Sequence, residues 1–346
     1  MEKWYEQDLA DEGVIISSRV RLARNLANYP FPTRLAMTEA AICVRSMRAS
    51  VFSEQNRDYI ENEGLKFSDL THLSNWDLNS MAERHVISPA MAQKDTVRGL
   101  ISSESENLSV MFNEEDHIRI QSIFVGQDLD AAYTTAATLD DMMAENLDYA
   151  FDKDFGYLTS CPTNTGTGLR ASYMLHIPIL ESSGALKAFG DVITKMGCVM
   201  RGAHGEGTSS MGGIYQISNQ KTLGKTEDEI IDSLKQLTNQ LVEKEKSLQE
   251  QMTKEFLAEA IDSVWRSWAI LAHCRKINLG EAIRHLSEIR LGHNVGIHTP
   301  RPQNSNIYSL MSKIQPFSLQ KIMGTATDAR HLDMLRADFL REEFAR

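Results

Sequence analysis

Apolar and polar residues change their rhythm along this chain. Leu108 to Phe112 and Ile118 to Ile123 alternate apolar and polar side chains, the period of a strand with one buried face, and Asn113-Glu-Glu-Asp-His117 lies between them. The spacing predicts two strands meeting at a polar loop. Tyr157 to Cys161, Ala171 to Ile177 and Gly213 to Ser218 are further strand candidates, each bounded by Gly, Pro, Asn or Ser. After Gly224 the period lengthens. Thr226-x-x-Glu229 is a capping-box pattern, and Ile230, Leu234, Leu237 and Leu241 follow at helical spacing, with Ile231 and Val242 broadening the stripe. Beyond about residue 250 almost every segment reads as helix. These include Trp265 to Cys274 and a helix capped by Asn278 and Glu281 that stops near Gly292, before a loop, His293 to Asn306, holding Pro300 and Pro302. The expected fold class is α+β over residues 14–250, followed by an all-α domain over residues 251–346.

Composition narrows the function. Apolar residues make up 42% of the 346 and charged residues 24%, which suits a globular chain and excludes a fibrous or wholly disordered one. The formal charge of −11 argues against general binding to nucleic acid or anionic membrane, since both need a basic surface. No stretch approaches the roughly 18–20 apolar residues that span a bilayer, and the charged N-terminus does not read as a secretory signal. Cys43, Cys161, Cys198 and Cys274 are scattered without a CxxC pair, and the histidines give no HExxH. That usage fits thiols in a reducing cytoplasm and argues against a protein-held transition metal.

Four segments carry chemistry. In Ser17-Ser-Arg-Val-Arg-Leu-Ala-Arg24, a strand would point Arg19 and Arg21 to the same face, where their planar forks suit phosphate oxygens; a solvated edge strand is the plainer alternative. Asn113-Glu-Glu-Asp-His-Ile-Arg119 sets three acids in a turn between apolar strands. Cys161-Pro-Thr-Asn-Thr-Gly-Thr-Gly-Leu-Arg170 has glycines, Gly166 and Gly168, that would let backbone N–H groups approach an anion. Arg201-Gly-Ala-His-Gly-Glu-Gly207 is a glycine-rich loop with one Arg and one Glu. Each of these alone is weak, but the four in order are not.

In this order and form they resemble the signatures of the phosphagen (guanidino) kinases: an SSRVR-type segment, NEEDH, CPTN-x-GTG-x-R and RG-x-x-GE. With the closing helix the resemblance covers about two-thirds of the chain. Within the family the chain is most similar to the bacterial protein-arginine kinases of the McsB type. The SSRVR segment begins at residue 17, which leaves no room for the N-terminal helical domain of the small-molecule enzymes, and a helical C-terminal domain is expected instead. The resemblance implies a mainly antiparallel sheet flanked by helices.

It also implies an activity: transfer of the γ-phosphoryl group of ATP, with Mg²⁺, to the guanidinium of arginine residues in proteins. By family position Glu115 is the catalytic base, Glu206 the second carboxylate on the guanidinium, Glu114 an acid acting through Mg²⁺-bound water, and Cys161 the cysteine that orients or polarises the acceptor. The nucleotide would be held by Ser17, Ser18, Arg19, Val20 and Arg21, by His85 and Arg119, by Arg170, Ala171, Ser172, Tyr173 and Met174, and by Arg201, Gly202, Ala203, His204 and Gly205. His85 matches only loosely, and a core or surface histidine is the alternative there; for Cys161 it is an inert buried thiol. No resident metal is expected.

The C-terminal domain of that family carries an RDxxRA motif that binds phosphoarginine and acts allosterically. The matching stretch here is Leu332-Asp-Met-Leu-Arg-Ala337, so Asp333, Arg336 and Ala337 fit while Leu332 replaces the first Arg. A weakened phosphoarginine response is expected. The resemblance further implies a cytoplasmic homodimer in the stress response, an activating zinc-binding partner, substrates such as a heat-shock repressor and unfolded proteins, and delivery to a Clp unfoldase–protease. A kinase for free arginine and a non-catalytic adaptor are the competing readings.

Overall fold

A computed structural model of the chain describes residues 2–93, 95–203 and 210–345. Its strands are β1 (Ile15–Arg24), β2 (Lys66–Asp69), β3 (Gly99–Ser102), β4 (Leu108–Phe112), β5 (Ile118–Val125), β6 (Phe151–Asp152), β7 (Gly156–Tyr157), β8 (Leu169–His176), β9 (Cys198–Gly202) and β10 (Ile214–Asn219). Its helices are α1 (Met37–Val51), α2 (Arg57–Glu63), α3 (Asn75–Glu83), α4 (Pro89–Gln93), α5 (Leu129–Ala144), α6 (Pro178–Ser182), α7 (Leu186–Lys195) and α8 (Glu227–Glu255). The C-terminal region adds α9 (Leu257–His273), α10 (Leu279–Asn294), α11 (Ile307–Lys313), α12 (Pro316–Met323) and α13 (Ala329–Phe344).

Eight strands form one sheet in the order β2-β3-β4-β5-β1-β8-β10-β9, and every adjacent pair is antiparallel. One face is covered. Val20, Leu22, Ile120, Ala171, Tyr173 and Ile217 lie in a core shared with Val44 and Met47 of α1, Leu139 of α5 and Leu234 of α8. The capping box of α8 forms as its sequence predicts: Thr226 Oγ1 accepts from Glu229 N (3.2 Å) and Glu229 Oε2 accepts from Thr226 N (3.0 Å). The other face is covered only at its margins. At one margin Leu100 and Met111 pack with Leu78 of α3 and Met91 of α4. At the other, Ile16, Ile123, Met174 and Ile214 pack with Ile283 and Leu286 of α10 and with Tyr308 and Met311 of α11. A register shift between Ile15 and Ser17 lets Ile15 join the first core while its neighbour Ile16 joins the second.

One expectation needs correction. The stretch Tyr157 to Cys161 is not a strand: only Gly156–Tyr157 pairs, with Phe151–Asp152, outside the main sheet. Beyond Tyr157 the main chain is held largely by side chains, because Asn25 Nδ2 donates to Leu158 O (3.1 Å) and Ser160 N donates to Asp116 Oδ1 (2.7 Å). The glycines of the following turn permit chain crossing. A Cβ on Gly168 would stand 2.5 Å from Arg24 Nη1 and 2.6 Å from Ala23 O, and one on Gly166 would stand 2.7 Å from Thr222 O. Both have positive φ, which glycine tolerates.

Arg24 fastens this crossing. Its Nε and Nη2 donate to Asp140 Oδ2 of α5 (2.9 and 2.6 Å), its Nη1 donates to Thr167 O (3.0 Å), and its guanidinium lies 3.6 Å from the Tyr157 ring centroid. Both Arg24 and Asp140 are buried. Asp140→Ala is therefore expected to leave a buried charge uncompensated and to destabilise the fold by about 3–5 kcal/mol. Urea unfolding checks this; an unchanged midpoint would show that the pair contributes nothing net.

Candidate active site

Residues facing each other across an antiparallel ladder share a face, so register decides which side chains meet. Arg21 lies opposite Gln121 of β5 and Arg170 of β8. Arg19 lies opposite Ile123 and Ser172, and Arg119 lies opposite Ala23. Arg201 of β9 lies opposite Gln216, which in turn faces Met174. Five arginines from β1, β5, β8 and β9 thus reach the one uncovered stretch of the sheet.

Arg119 is paired with two acids, but Arg19, Arg21, Arg170 and Arg201 have no carboxylate partner among the described residues. Arg21 and Arg170 each leave a buried Nε with no hydrogen-bond partner among the described residues. Burial and the charges of Arg170 and Arg119 push the Arg19 guanidinium down to about 10, although Tyr308 acts the other way. Burial and the charges of Arg19, Arg119 and Arg170 push Arg21 well below the ordinary arginine range, against the opposing pull of Glu114. Arg170 is lowered by burial and by Arg201 and Arg119, while Cys161 and Glu115 lie close enough to oppose this. A polyanion placed on the row would remove the mutual repulsion.

The acids stand at the edge of the row. Arg119 Nη1 donates to Glu114 Oε1 and its Nη2 to Glu115 Oε2, both at 3.0 Å. Glu114 is 2% exposed and also accepts from Ser88 Oγ (2.6 Å) and Glu115 N (2.7 Å), whereas the Glu115 side chain is 41% exposed. The loop between β4 and β5 is fixed at both ends. Asn113, at φ +60°, donates through Nδ2 to Ala40 O (3.1 Å) and Val97 O (2.9 Å). At the other end Asn25 is the junction: its Nδ2 donates to Asp116 Oδ1 (2.7 Å) and its Oδ1 accepts from His117 N (2.9 Å). Asp116 Oδ1 also accepts from Ser160 N, next to Cys161, so one carboxylate joins the acid loop to the cysteine loop. Asn25, Ser88 and Gln121 were not among the residues singled out from sequence, and Asp116 was read there only as one of three acids in the turn; an Asn or Gln inside a loop or strand carries no pattern that separates it from a surface residue.

Cys161 is half-buried, with Thr163 Oγ1 3.1 Å from its Sγ. His85 sits in the turn after α3 at φ +63°, and its carbonyl accepts from Gln121 Nε2 (2.6 Å), which ties the turn to the row. It lines a narrow cleft with Ser17, Arg19 and Ser172. Alternation divides the remaining candidates. Val20, Ala171 and Tyr173 point into the core beneath the sheet and offer the site backbone only. Ser18 points the same way, its Oγ donating to Gly126 O (2.7 Å) and accepting from Asp128 N (2.8 Å) before α5. Ser172 and Met174 share the face of the arginines. Gly202 and Ala203 end β9 and its edge ladder, with Ala203 N donating to Ile214 O (2.9 Å). His204, Gly205 and Glu206 lie outside the described residues. Among the described residues no three His, Cys, Asp or Glu side chains are grouped to hold a metal.

Residues 46–248 match the family model for the ATP:guanido phosphotransferase C-terminal catalytic domain, and residues 258–346 match that for the protein-arginine kinase McsB C-terminal domain. The chain belongs to the ATP:guanido phosphotransferase family. A protein-arginine kinase of Desulforamulus reducens is 40% identical over 340 residues, 98% of this chain and 94% of that protein. One from Bacillus pumilus is 39% identical over 343 residues, 99% and 93% of the two chains. Among solved structures, the substrate-free duplicated taurocyamine kinase of Schistosoma mansoni superposes with a TM-score of 0.60 at 25% identity, covering 93% of this chain and 49% of that one. A lombricine kinase shares the fold with a TM-score of 0.58 at 22% identity, over 72% and 70% of the two chains.

The C-terminal motif of this guanido phosphotransferase lies on α13. Asp333 and Arg336 do share a face, and they meet each other: Arg336 Nη1 donates to Asp333 Oδ1 at 2.8 Å. Arg336 is 2% exposed, and it also donates to Ile277 O (3.0 Å) and, through Nε, to Ile314 O (3.2 Å). Three of its directions are spent inside the helical domain. Ala337 is fully buried, and Leu332 is partly buried against the same core.

The Asn25 junction yields a test of the site. Asn25→Ala removes both side-chain hydrogen bonds from Asn25 to the acid loop without touching an arginine, leaving the bond from Leu26 N to His117 Nδ1. It is expected to lower kcat by roughly 10- to 100-fold through misplacement of Glu115, with the KM for ATP changed less than about twofold. A rise in KM with kcat intact would show that the junction serves the nucleotide instead.

Proposed function

We propose that the chain transfers the γ-phosphoryl group of ATP to a guanidinium nitrogen of arginine residues in proteins. The observation that carries this reading is the arginine row, in which Arg119 alone is paired with carboxylates among the described residues, with Glu115 and Cys161 at its end. Phosphoryl transfer needs charge neutralised on the phosphates and the two reactants held in line, with little other chemistry. Arg19, Arg21, Arg119, Arg170 and Arg201 supply the first requirement. When bound with the nucleotide, Mg²⁺ would screen phosphate charge, and Glu114, buried at the foot of the row, is the carboxylate nearest that role.

The acceptor is the harder half. A guanidinium is protonated up to a pH of about 12 or more and its lone pairs are delocalised, so it attacks poorly. A carboxylate against its N–H groups orients it and takes its proton as the N–P bond forms. Glu115, the more exposed of the two acids and tied to Arg119, suits that base. Glu206 is proposed as the second carboxylate and Cys161 as a further orienting group. The match of residues 258–346 to the McsB C-terminal domain, and the names of relatives spanning nearly the whole chain, favour protein-bound over free arginine.

The finer setting rests on the family resemblance. It comprises a catalytic region over about 14–250 with a helical domain behind it, a cytoplasmic homodimer, an activating zinc-binding partner, and marking of stress-damaged proteins for a Clp unfoldase–protease. In the helical domain Arg336 is committed to internal carbonyls and Asp333, and Leu332 brings no positive charge, which supports a weak phosphoarginine response.

Mass spectrometry of a protein substrate incubated with ATP and Mg²⁺, beside a coupled assay on free arginine, tests the reaction. Phosphoarginine on the protein is expected, and modification of the free amino acid alone would overturn the proposal. Glu115→Ala is expected to abolish transfer while calorimetric ATP affinity stays within about twofold, since its proposed partner is the acceptor; parallel loss of both would place Glu115 on the nucleotide. Free phosphoarginine titrated into the natural protein and into Leu332→Arg is expected to bind the variant roughly 10- to 100-fold more tightly, the worth of one charge-assisted contact. Tight binding to both would place the pocket elsewhere.

A further inference from the structure

β1 begins at the covered end of the arginine row and finishes at the open one. Ile16, Ile123 and Met174, around Arg19, are packed under α10 and α11. At the far end Asn25 gathers the acid loop, through Asp116 and His117, and the approach to the cysteine loop, through Leu158 O. A small hairpin is built on this junction. Ala150 N donates to Asn25 O (2.7 Å), Ala27 N to Asp148 O (2.9 Å) and Leu158 N to Ala150 O (2.8 Å). From that base β6 and β7 form their own two-stranded sheet, with Phe151 opposite Tyr157 and the two rings edge-on at 5.3 Å. Tyr157 also exchanges both main-chain bonds with Gly166 (2.8 and 3.2 Å), which closes the loop that holds Cys161. The hairpin thus shares one hydrogen-bonded frame with the loops that carry Glu115 and Cys161.

The apolar residues of this hairpin lie in water. Phe151 is 60% exposed and Phe155, in the turn, 55%. The turn itself is well formed, since Asp152 Oδ1 accepts from Asp154 N (2.8 Å) and Phe155 N (3.1 Å). Leu223 is 53% exposed beside Thr222, whose Oγ1 donates to Thr163 O (3.0 Å) and Thr165 O (2.7 Å) of the cysteine loop. Next to the acid loop Met37, also 53% exposed, starts the helix whose Ala40 O holds Asn113. Single exposed apolar side chains are ordinary, but several around one functional end mark a contact surface. Charge points to what makes the contact. Between Asp148 and Tyr157 three aspartates, at 148, 152 and 154, stand against the single cation Lys153, a balance that draws a basic segment.

We propose that the β6–β7 hairpin, with Met37 and Leu223 as apolar neighbours, docks the polypeptide that carries the acceptor arginine and selects arginines with a large apolar residue nearby in sequence. This rests on the reading that the acceptor is an arginine in a protein. Tyr157 is four residues from Cys161, at most about 14 Å along an extended chain, so the apolar residue would fall within about five residues of the arginine. The occupant is an extended segment: one side chain enters the open end of the row as a guanidinium, and another lies on Phe151 and Phe155. A free guanidino compound is too short to reach both.

Steady-state kinetics of the full chain on Gly/Ser peptides with a single arginine tests this, one leucine being moved along the peptide. Leucine at one or more positions about two to five residues from the arginine is expected to raise kcat/KM by about 3- to 10-fold, mainly through KM, and aspartate there to lower it. The double variant Phe151→Ser, Phe155→Ser is expected to erase the leucine effect, while kcat/KM for the peptide without leucine and the KM for ATP stay within about twofold. Equal kcat/KM for all peptides with the natural protein, or equal loss on both kinds of peptide in the variant, would overturn the docking surface. A second measurement needs no variant: benzoylphenylalanine replaces the leucine, and mass spectrometry locates its photo-crosslink. Crosslinks within residues 148–157, or at Met37 or Leu223, are expected. Crosslinks confined to other apolar surfaces, such as Leu257, Ile261 and Trp265 on α9, would overturn the proposal. The two readings fail separately. Peptides phosphorylated without apolar preference keep the reaction and remove the docking surface, whereas peptides that crosslink at the hairpin yet are never phosphorylated keep the docking surface and remove the reaction.

Discussion

Like charges held at fixed spacing on a rigid sheet are the constraint to which the rest of this structure answers. Arg19 and Arg21 are two residues apart on β1, and register brings Arg170 directly opposite Arg21. None of these positions can move without moving a strand. Burial of these guanidinium groups and, after it, their mutual repulsion weaken the folded state, as the lowered proton affinities of Arg19, Arg21 and Arg170 record. A sheet that carries such a row must be held by other means. Here its reverse face is largely apolar against α1, α5 and α8, and the two margins of the arginine face are closed by separate cores. The stability-bearing contacts surround the row and, apart from the two acids on Arg119, do not neutralise it. That is the arrangement expected of a preorganised anion site, in which the cost of gathering charge is met on folding and recovered on binding.

The acids obey a different logic. Glu114 is fully engaged and buried, while Glu115, one residue on, is exposed and touches the row through Arg119. The difference arises from the loop's fastening. Asn113 in a left-handed conformation turns the chain, and Asn25 pins Asp116 and His117 at its far side, so only one position in the loop is free to face outward. Three consecutive acids in a turn would ordinarily be interchangeable in water. Here the backbone gives each a separate task.

The sequence made these features legible to different depths. Period-two alternation correctly placed β4 and β5, and the capping box with its apolar stripe correctly placed α8, because each signal is local and repeated. Strands β2, β3 and β9 were not anticipated. They are four or five residues long and their burial does not alternate cleanly, so tertiary pairing and not local pattern makes them strands. Tyr157 to Cys161 had strand-like composition, but side chains of Asn25 and Asp116 took much of its hydrogen bonding, and no local pattern reveals such distant partners. Gly166 and Gly168 read as an anion-binding turn, yet backbone crowding at Thr222 and Ala23 already demands glycine there. The arginines could be found by motif, but their convergence could not. It depends on β1 lying between β5 and β8, an order that the sequence does not state.

The same topology gives the helical domain a physical route to the site. Its core is not separate from the catalytic sheet, since Ile16, Ile123, Met174 and Ile214 of the sheet belong to it together with Ile283, Leu286 and Met311. Tyr308 is the point of closest approach: fully buried, it donates to Met174 and lies within electrostatic range of both Arg19 and Arg290. Asp11 fixes the helix that carries it, accepting from Tyr308 N (2.7 Å) and from Ile307 N, while Arg290 of α10 donates to Ala10 O (3.0 Å). The N-terminal turns, α10 and α11 are therefore joined to one another beside the end of the arginine row. Arg336 in turn clasps α13 to the carbonyls of Ile277 and Ile314, just before α10 and just after α11. These contacts link α13 to the loops flanking α10 and α11, and Tyr308 links α11 to the strand beside Arg19. Any coupling of α13 to the arginine row would need the packed groups between them to have two discrete arrangements, since close-packed cores do not deform gradually.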